Sequence, residues 1–482
     1  MVKCHHLYGQ TTCTWTCTVA TPQVGARSLV STKEEVKSIK YSRKFTILLP
    51  IILFLALVLM FVMIVMTRKK TVVVSVVRIS GTQDRWFTKA DLLVRKDGTL
   101  LAALGPGANS LLVLSQDGQV NLEVPLSMYP CAVASAPDGS VTVAGIQNSA
   151  VEIAKYDFQL NEKWTQRSAG GRAKVAGVCS LDANAVAVAG SFQDSITFAD
   201  AEDKEKILCH MDKEECLLPK ALFVAMFSED GTLLWQQSWE TASEGLAVTG
   251  LPEGGMVAAG DFASYRIAFQ TKTGKPVTLQ NAPRDIGDDV CLCAYDEDGG
   301  INWARQLGGV DLLKLATAQD GSCFYVIATF SDELRVFGLN GVRTVEKAVS
   351  GPVGVWPDSI AVLAFDGTGN FLWETNWPLK RFQGPDISWD APPKEFCADY
   401  SAVGDGLVVS YPLQRWWRFG KQSERQYQIV TVQDKGRVTQ GGKFLHPPQK
   451  PSQPPPQVAV LEDGSLMFLT CDSQGAGLGK TE

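Results

Sequence analysis

Histidine is scarce in this chain: four in 482 residues, with His5 and His6 near the N-terminus. Imidazole-based catalysis or metal ligation therefore has little to work with over the rest of the sequence. The motif record is equally thin, with no GxSxG, P-loop, CxxC or HExxH. No N-x-S/T sequon occurs either, which fits a chain not exposed to eukaryotic glycosylation. Cysteine is present, twelve residues in all, but an irregular scatter is not a disulfide framework. Cys209 and Cys216 flank a charged loop; they could bridge in an oxidising space or be two unrelated thiols. His5, His6, Cys13 and Cys17 lack the spacing of a zinc site. No catalytic residues, metal or cofactor are expected.

Net positive charge is lacking outside the N-terminus. Residues 1–44 carry seven basic residues against Glu34 and Glu35, or +5, so a total of −6 leaves −11 for the remainder. An acidic main body argues against a nucleic-acid partner. Residues 45–66, FTILLPIILFLALVLMFVMIVM, are 22 uncharged, nearly all apolar residues. At ~1.5 Å per residue they match the ~30 Å hydrocarbon core, so a single transmembrane helix is expected there. The 44 residues before it and the absence of an A-x-A site argue against a cleaved signal peptide and for a signal-anchor. Five basic residues, Lys33, Lys37, Lys40, Arg43 and Lys44, precede the span, and Arg68, Lys69 and Lys70 follow it. The positive-inside rule then puts a short disordered N-terminal tail in the cytoplasm and the main domain in the periplasm, lumen or extracellular space. The reverse orientation, with a cytoplasmic main domain, is the competing topology.

What the chain has in abundance is repetition. Residues 222–235 read LFVAMFSEDGTLLW, 290–303 read VCLCAYDEDGGINW and 361–373 read AVLAFDGTGNFLW. Each is an apolar stretch, a tight turn and a second stretch closing on Trp235, Trp303 or Trp373. Asp-Gly between alternating apolar runs is a strong hairpin signal. Six hairpins of this kind, at 110–124, 151–164, 222–235, 290–303, 361–373 and 428–438, alternate with seven of another. The seven lie at 91–104, 131–145, 178–190, 246–260, 315–330, 397–411 and 458–470. Such periodicity predicts an all-β, seven-bladed β-propeller over residues 71–475. The absent hairpin is supplied by residues 71–87, which complete the last blade and remove an open edge. Residues 71–79 then form the third strand of that blade.

The alternation A-x-aromatic-D-x-x-G-x-aliphatic-x-W followed by D-G-x-x-x-x-A-G-x-F resembles the bacterial β-propeller repeat family (SBBP type) and, more distantly, the quinoprotein-type propeller repeat. It covers roughly residues 71–470, best at 220–375. The resemblance implies a propeller scaffold in an exported or surface-associated protein, with no common activity.

The turns SEDG, DEDGG and FDGTGN lack the ligand series of a calcium loop, and their Asp and Gly serve turn geometry. The repeated Trp164, Trp235, Trp303 and Trp373 are expected to pack between blades. In a four-stranded blade the within-hairpin turns share one face of the disc. The long connections, about 192–220, 262–288, 331–358, 378–395 and 439–457, share the other. If residues 71–79 are a third strand, they start on that second face and turn it toward the membrane. The face carries Trp356 and Trp389, with Arg415, Trp416, Trp417 and Arg418 close by, a composition of protein-binding hot spots or simply of loop caps. The expectation is a membrane-tethered, non-catalytic protein-interaction scaffold. The alternative is a cofactor- or sugar-binding propeller enzyme with its site in the central channel.

Overall fold

The computed structural model describes residues 75–79 and most of 89–480, omitting short turns and the segments 199–207, 210–220, 281–287, 349–358, 379–398, 414–424 and 447–455. The chain divides into two units, 1–68 and 69–482, and all described residues belong to the second. The transmembrane expectation for 45–66 lies outside the described residues. Among the described residues no helix is long and apolar enough to cross a membrane.

The second unit is a seven-bladed β-propeller. Blade 1 contains Lys89–Val94, Leu100–Gly105, Ser110–Leu114 and Val120–Pro125, from the innermost strand outward. Blade 2 runs from Tyr129–Ser135 to Glu162–Arg167, and blade 3 from Ala173–Leu181 to Leu233–Trp239. Blade 4 runs from Gly245–Gly250 to Ile301–Val310, and blade 5 from Leu312–Thr317 to Phe371–Pro378. Blade 6 spans Asp399–Val403 to Arg437–His446. In each, alternating apolar runs separated by glycine turns give antiparallel strands with both faces buried against neighbouring blades. Second and third strands such as Phe324–Phe330 and Ser359–Phe365 are buried throughout.

Blade 7 joins the two ends of the unit, with the order Gln457–Val460, Leu466–Asp472, Gly475–Lys480, Ser75–Arg78. This corrects the strand count read from sequence. The third strand is C-terminal, running past 475 to Lys480, and Ser75–Arg78 is the outermost strand. Ser75 pairs antiparallel with Lys480, whose Nζ lies 3.3 Å from Asp463 in a within-hairpin turn. Ser75 therefore starts at the face of the short turns, opposite the long connections. The second half of the expected hairpin, including Trp86, lies outside the described residues.

Four of the outer hairpins share one turn chemistry. Gly118, Gly231, Gly299 and Gly369 have φ between 77° and 87°, and each hairpin shows a register shift beside its turn. This is a type I turn closed by a left-handed residue and a bulge. Blade 2 puts Leu160, at φ 64°, in the glycine position and buries its side chain.

These turns also join the blades. Trp164 Nε1 donates to the Glu229 carbonyl at 2.7 Å, Trp235 to Glu297 at 2.9 Å, and Trp303 to Gly367 at 3.1 Å. Each tryptophan lies on the outermost strand of one blade and reaches the turn of the next. The turn glycine lies under the ring, and a Cβ at Gly231, Gly299 or Gly369 would come within 2.8 Å of the indole. Two residues on, Gln166 and Gln237 donate to the same glycines' carbonyls at 2.9 and 2.6 Å. Blade 1 has Leu122 where blades 2 to 5 have Trp, and it is 42% exposed. There Arg95 replaces the indole: its Nη2 donates to the matching carbonyl of Phe158, with the guanidinium 4.2 Å from the Phe158 ring centroid. The tryptophans are thus latches between blades.

Candidate functional site

The two faces of the disc differ in construction. On the short-turn face the acidic residues are held by their own turns. Asp366 accepts from the backbone N–H groups of Thr368 and Asn370 at 3.0 and 2.8 Å, and Asp157 accepts from Asn161 N at 2.8 Å. Side-chain hydrogen bonds from Ser115, Asn161, Ser228 and Ser465 hold Asp117, Asp157, Asp230 and Asp463 below the usual carboxylate range. Among the described residues no group of three or more His, Cys, Asp or Glu side chains is placed to hold a metal ion. Between the turns of blades 4 and 5 lies a cleft of about 700 Å³ lined by Asp296, Glu297, Asp298 and Asp366, with Lys272 2.7 Å from Asp296.

The connections that leave the opposite face carry the insertions, and three of them contain strands; the blade 4 one folds back along the rim, its turn bringing Lys272 to Asp296 on the short-turn face. The insertion in blade 3 contains Ser195–Thr197 and Leu208–Cys209, which form a small sheet with Ala169–Gly170. In blade 4, Arg266–Gln270 and Pro276–Gln280 form a hairpin that buries Ile267, Phe269 and Leu279 against Trp239 and its neighbours. Gln306 ties this hairpin down, exchanging hydrogen bonds of 3.2 and 2.9 Å with the Gln280 backbone and donating to Asp289 at 2.7 Å. In blade 5, Glu333–Gly338 pairs with the outermost strand of blade 4 and Gly341–Glu346 pairs with Glu333–Gly338, making a six-stranded sheet. Arg343 then grips Glu374 of blade 5 with bonds of 2.6 and 3.0 Å. One blade's insertion so extends another blade's sheet, which spacing alone does not reveal. Residues 439–446, read from sequence as part of a connection, continue the outermost strand of blade 6.

Trp356, Trp389, Arg415, Trp416, Trp417, Arg418 and Cys216 lie outside the described residues. Cys209 ends the strand Leu208–Cys209, but its side chain is not described. Cys179, Cys291, Cys293 and Cys323 are free thiols.

The central channel contains a cavity of about 490 Å³, lined by the ends of the innermost strands of blades 2 to 6. The lining is small side chains and hydroxyls: Ala134, Ser135, Ser180, Thr249, Thr317 and Ala318 among them. Thr317 donates to the Gly250 carbonyl at 2.5 Å and lies 2.7 Å from Thr249 Oγ1. Tyr400 Oη donates to the Leu315 carbonyl. The lining has one thiol, Cys179, whose burial pushes its pKa up to about 12, so it stays neutral at physiological pH. The hydroxyls at these strand ends gain meaning only when five blades bring them to one axis.

No family model matches the sequence, and no curated protein does. Solved structures share the propeller fold. BamB from Moraxella catarrhalis is 10% identical, with 86% of this chain and 100% of that one covered at a TM-score of 0.39. The WD40 domain of SCAP from fission yeast is 9% identical, with 85% and 94% covered at 0.34. The PQQ domain of pyranose dehydrogenase from Coprinopsis cinerea is 11% identical, with 86% and 98% covered at 0.33. The blade count rests on the strand pairing described above.

Proposed function

We propose that this protein is a non-catalytic interaction scaffold, anchored in a membrane by residues 45–66, that binds a protein partner through the face of its long connections. The N-terminus would be cytoplasmic and the propeller periplasmic, luminal or extracellular. The carrying observation is the asymmetry of the disc: the connections on one face are minimal turns, while those that leave the other carry insertions with their own strands and packing. Such elaboration of one side of a rigid scaffold is how propeller surfaces acquire specificity. Trp356, Trp389 and the Arg415–Arg418 run would supply the aromatic and guanidinium anchors. Kinship with the SBBP-type repeat family is part of the same reading. The enzyme alternative is less favoured because the described channel lining offers hydroxyls and a neutral thiol rather than an ionised acid–base pair.

The strand order in blade 7 refines this proposal. Ser75 begins at the short-turn face, and the eight residues 67–74 reach at most ~28 Å. A membrane anchor would thus hold the short-turn face toward the bilayer and leave the decorated face pointing away. In the full-length protein reconstituted in liposomes, a fluorophore at position 298 should be quenched by lipid-borne quenchers more strongly than one at 389. Stronger quenching at 389 would reverse the orientation. The partner surface is tested by affinity purification from native membranes. Trp416→Ala and Trp356→Ala should each weaken partner recovery, since a central aromatic anchor is commonly worth ~2 kcal/mol or more. Unchanged partners would place the site elsewhere, and a lowered melting temperature would make these residues packing elements.

A further inference from the structure

We propose that the free edge of the six-stranded sheet, Gly341–Glu346, is a self-association surface that pairs antiparallel with the same strand of a second copy of this chain. The pairing does not depend on the membrane anchor or on the partner face. Gly341–Glu346 is the last strand of its sheet, two strands beyond the ordinary outermost strand of blade 4. Lys347 N donates to the Asp332 carbonyl at 3.2 Å, which fixes the alternation along the strand. Gly341, Arg343 and Val345 turn their N–H and C=O groups inward to Glu333–Gly338, and Val342, Thr344 and Glu346 turn theirs outward. Among the described residues nothing pairs with the outward groups of Val342 and Thr344. The Glu346 carbonyl accepts from Asn376 Nδ2 at 2.8 Å and keeps a second lone pair. Val342, Thr344 and Glu346 are all exposed, Val342 to 56%, so the rest of the chain leaves this edge open. Sheet edges are normally blunted by proline, lysine or a bulge. This strand contains none of them, and its register with Glu333–Gly338 is unbroken. The outermost pairs of blades 1 to 5, by contrast, all carry a register shift.

The charges along the edge select a second copy and a single register. Outward residues must face outward residues, so the two-fold axis of such a pair passes through one residue of the strand. Centred on Arg343, the pairing would set that arginine against itself; centred on Val345, it would set Arg343 against Lys347 of the other copy. Like charges directly opposite each other are destabilising. Centred on Thr344, the pairing sets Thr344 against Thr344, Val342 against Glu346 and Arg343 against Val345, and no like charges meet. Each outward pair then exchanges both of its N–H···O=C bonds. Arg343 stays on the other side of the strand, where it already grips Glu374. Threonine pairs and β-branched residues suit this geometry. The contact is small beside a standard interface, so the dimer should be weak and reversible, in the micromolar range.

The test is sedimentation equilibrium of the full-length protein in detergent, with the melting temperature as the control for folding. Thr344→Pro removes an outward N–H and leaves the internal ladder intact. It should weaken dimerisation at least about tenfold, because one hydrogen bond is lost on each side of the two-fold axis. Val342→Glu, which opposes Glu346 of the other copy, should also weaken it, and adding Glu346→Lys to that variant should restore it. On mild oxidation Thr344→Cys should form a disulfide-linked dimer faster than the parent chain, since paired Cα atoms in this register lie about 5.5 Å apart. The proposal is overturned if the parent stays monomeric across the micromolar range, if Thr344→Pro and Val342→Glu leave its dimer unchanged, or if Thr344→Cys links no faster than the parent.

Discussion

A chain that begins at Lys89 should be less stable than one that begins at Lys70 by about 3–5 kcal/mol, the scale of losing a large buried apolar side chain with its strand. The shorter chain lacks Ser75–Arg78, which pairs along its whole length with Gly475–Lys480. It also lacks Ile79, which is fully buried in the cluster that joins blades 7 and 1 and donates its N–H to the Ala476 carbonyl at 3.0 Å. Removing both leaves Gly475–Lys480 as an exposed edge, so the truncated protein should aggregate as well as melt earlier. Thermal melting and light scattering of the two soluble chains give the answer. Equal melting temperatures and equal solubility would mean that the outermost strand adds nothing to closure.

The second large effect belongs to the interblade latches. Trp235→Ala should cost about 3–5 kcal/mol, because it vacates the packing against Tyr295 and strips the Glu297 carbonyl of its donor. Gly299→Ala attacks the same contact from the other side. Its φ is +81°, and the new methyl would lie 2.7 Å from the indole. Backbone strain and overpacking together should cost about 2–4 kcal/mol. The two losses should not add, because a missing indole relieves the clash and the double variant keeps only the backbone term. Gly98→Ala is the control: φ is +75° but nothing lies within 4 Å, so about 1 kcal/mol is expected. Denaturant unfolding of the four variants and the parent would measure the coupling. Strict additivity of Trp235→Ala and Gly299→Ala would show that indole and glycine act separately.

The propeller was legible because its code is local. Asp-Gly turns set the hairpins and alternation sets the faces, and each tryptophan recurs at a fixed distance from its turn. The identity of the closing strands was not, and the reason lies in composition. Gly475–Lys480 reads GAGLGK, with three glycines and no β-branched residue, so it looks like a tail. Only Ala476 and Leu478, both buried, betray its inward face. Pairing across blades was equally hidden. GLNG at 338–341 marks a hairpin turn, but the choice of the blade 4 edge as its partner depends on three register pairs far away in sequence, Gln306, Leu307 and Gly308 with Phe337, Val336 and Arg335. Arg95 is a subtler case. Its role follows from the absence of a tryptophan at Leu122, and a missing repeat residue does not announce what replaces it.

The join between the ends of the ring bears on how the molecule is made. Ser75–Arg78 emerges early in synthesis, yet its partner strand is encoded about four hundred residues later. Until then the ring has two uncovered blade faces, that of blade 1 carrying Leu100, Leu104 and Leu112 and that of whichever blade was synthesised last. Every blade can fold locally, since its own hairpins are short in sequence, but closure is the most non-local contact in the unit and comes last. A growing chain would thus pass through a stage in which six blades are folded and the seventh waits for its final strand. That stage is where a chaperone would act, and where shortening the C-terminus by a few residues would do disproportionate harm.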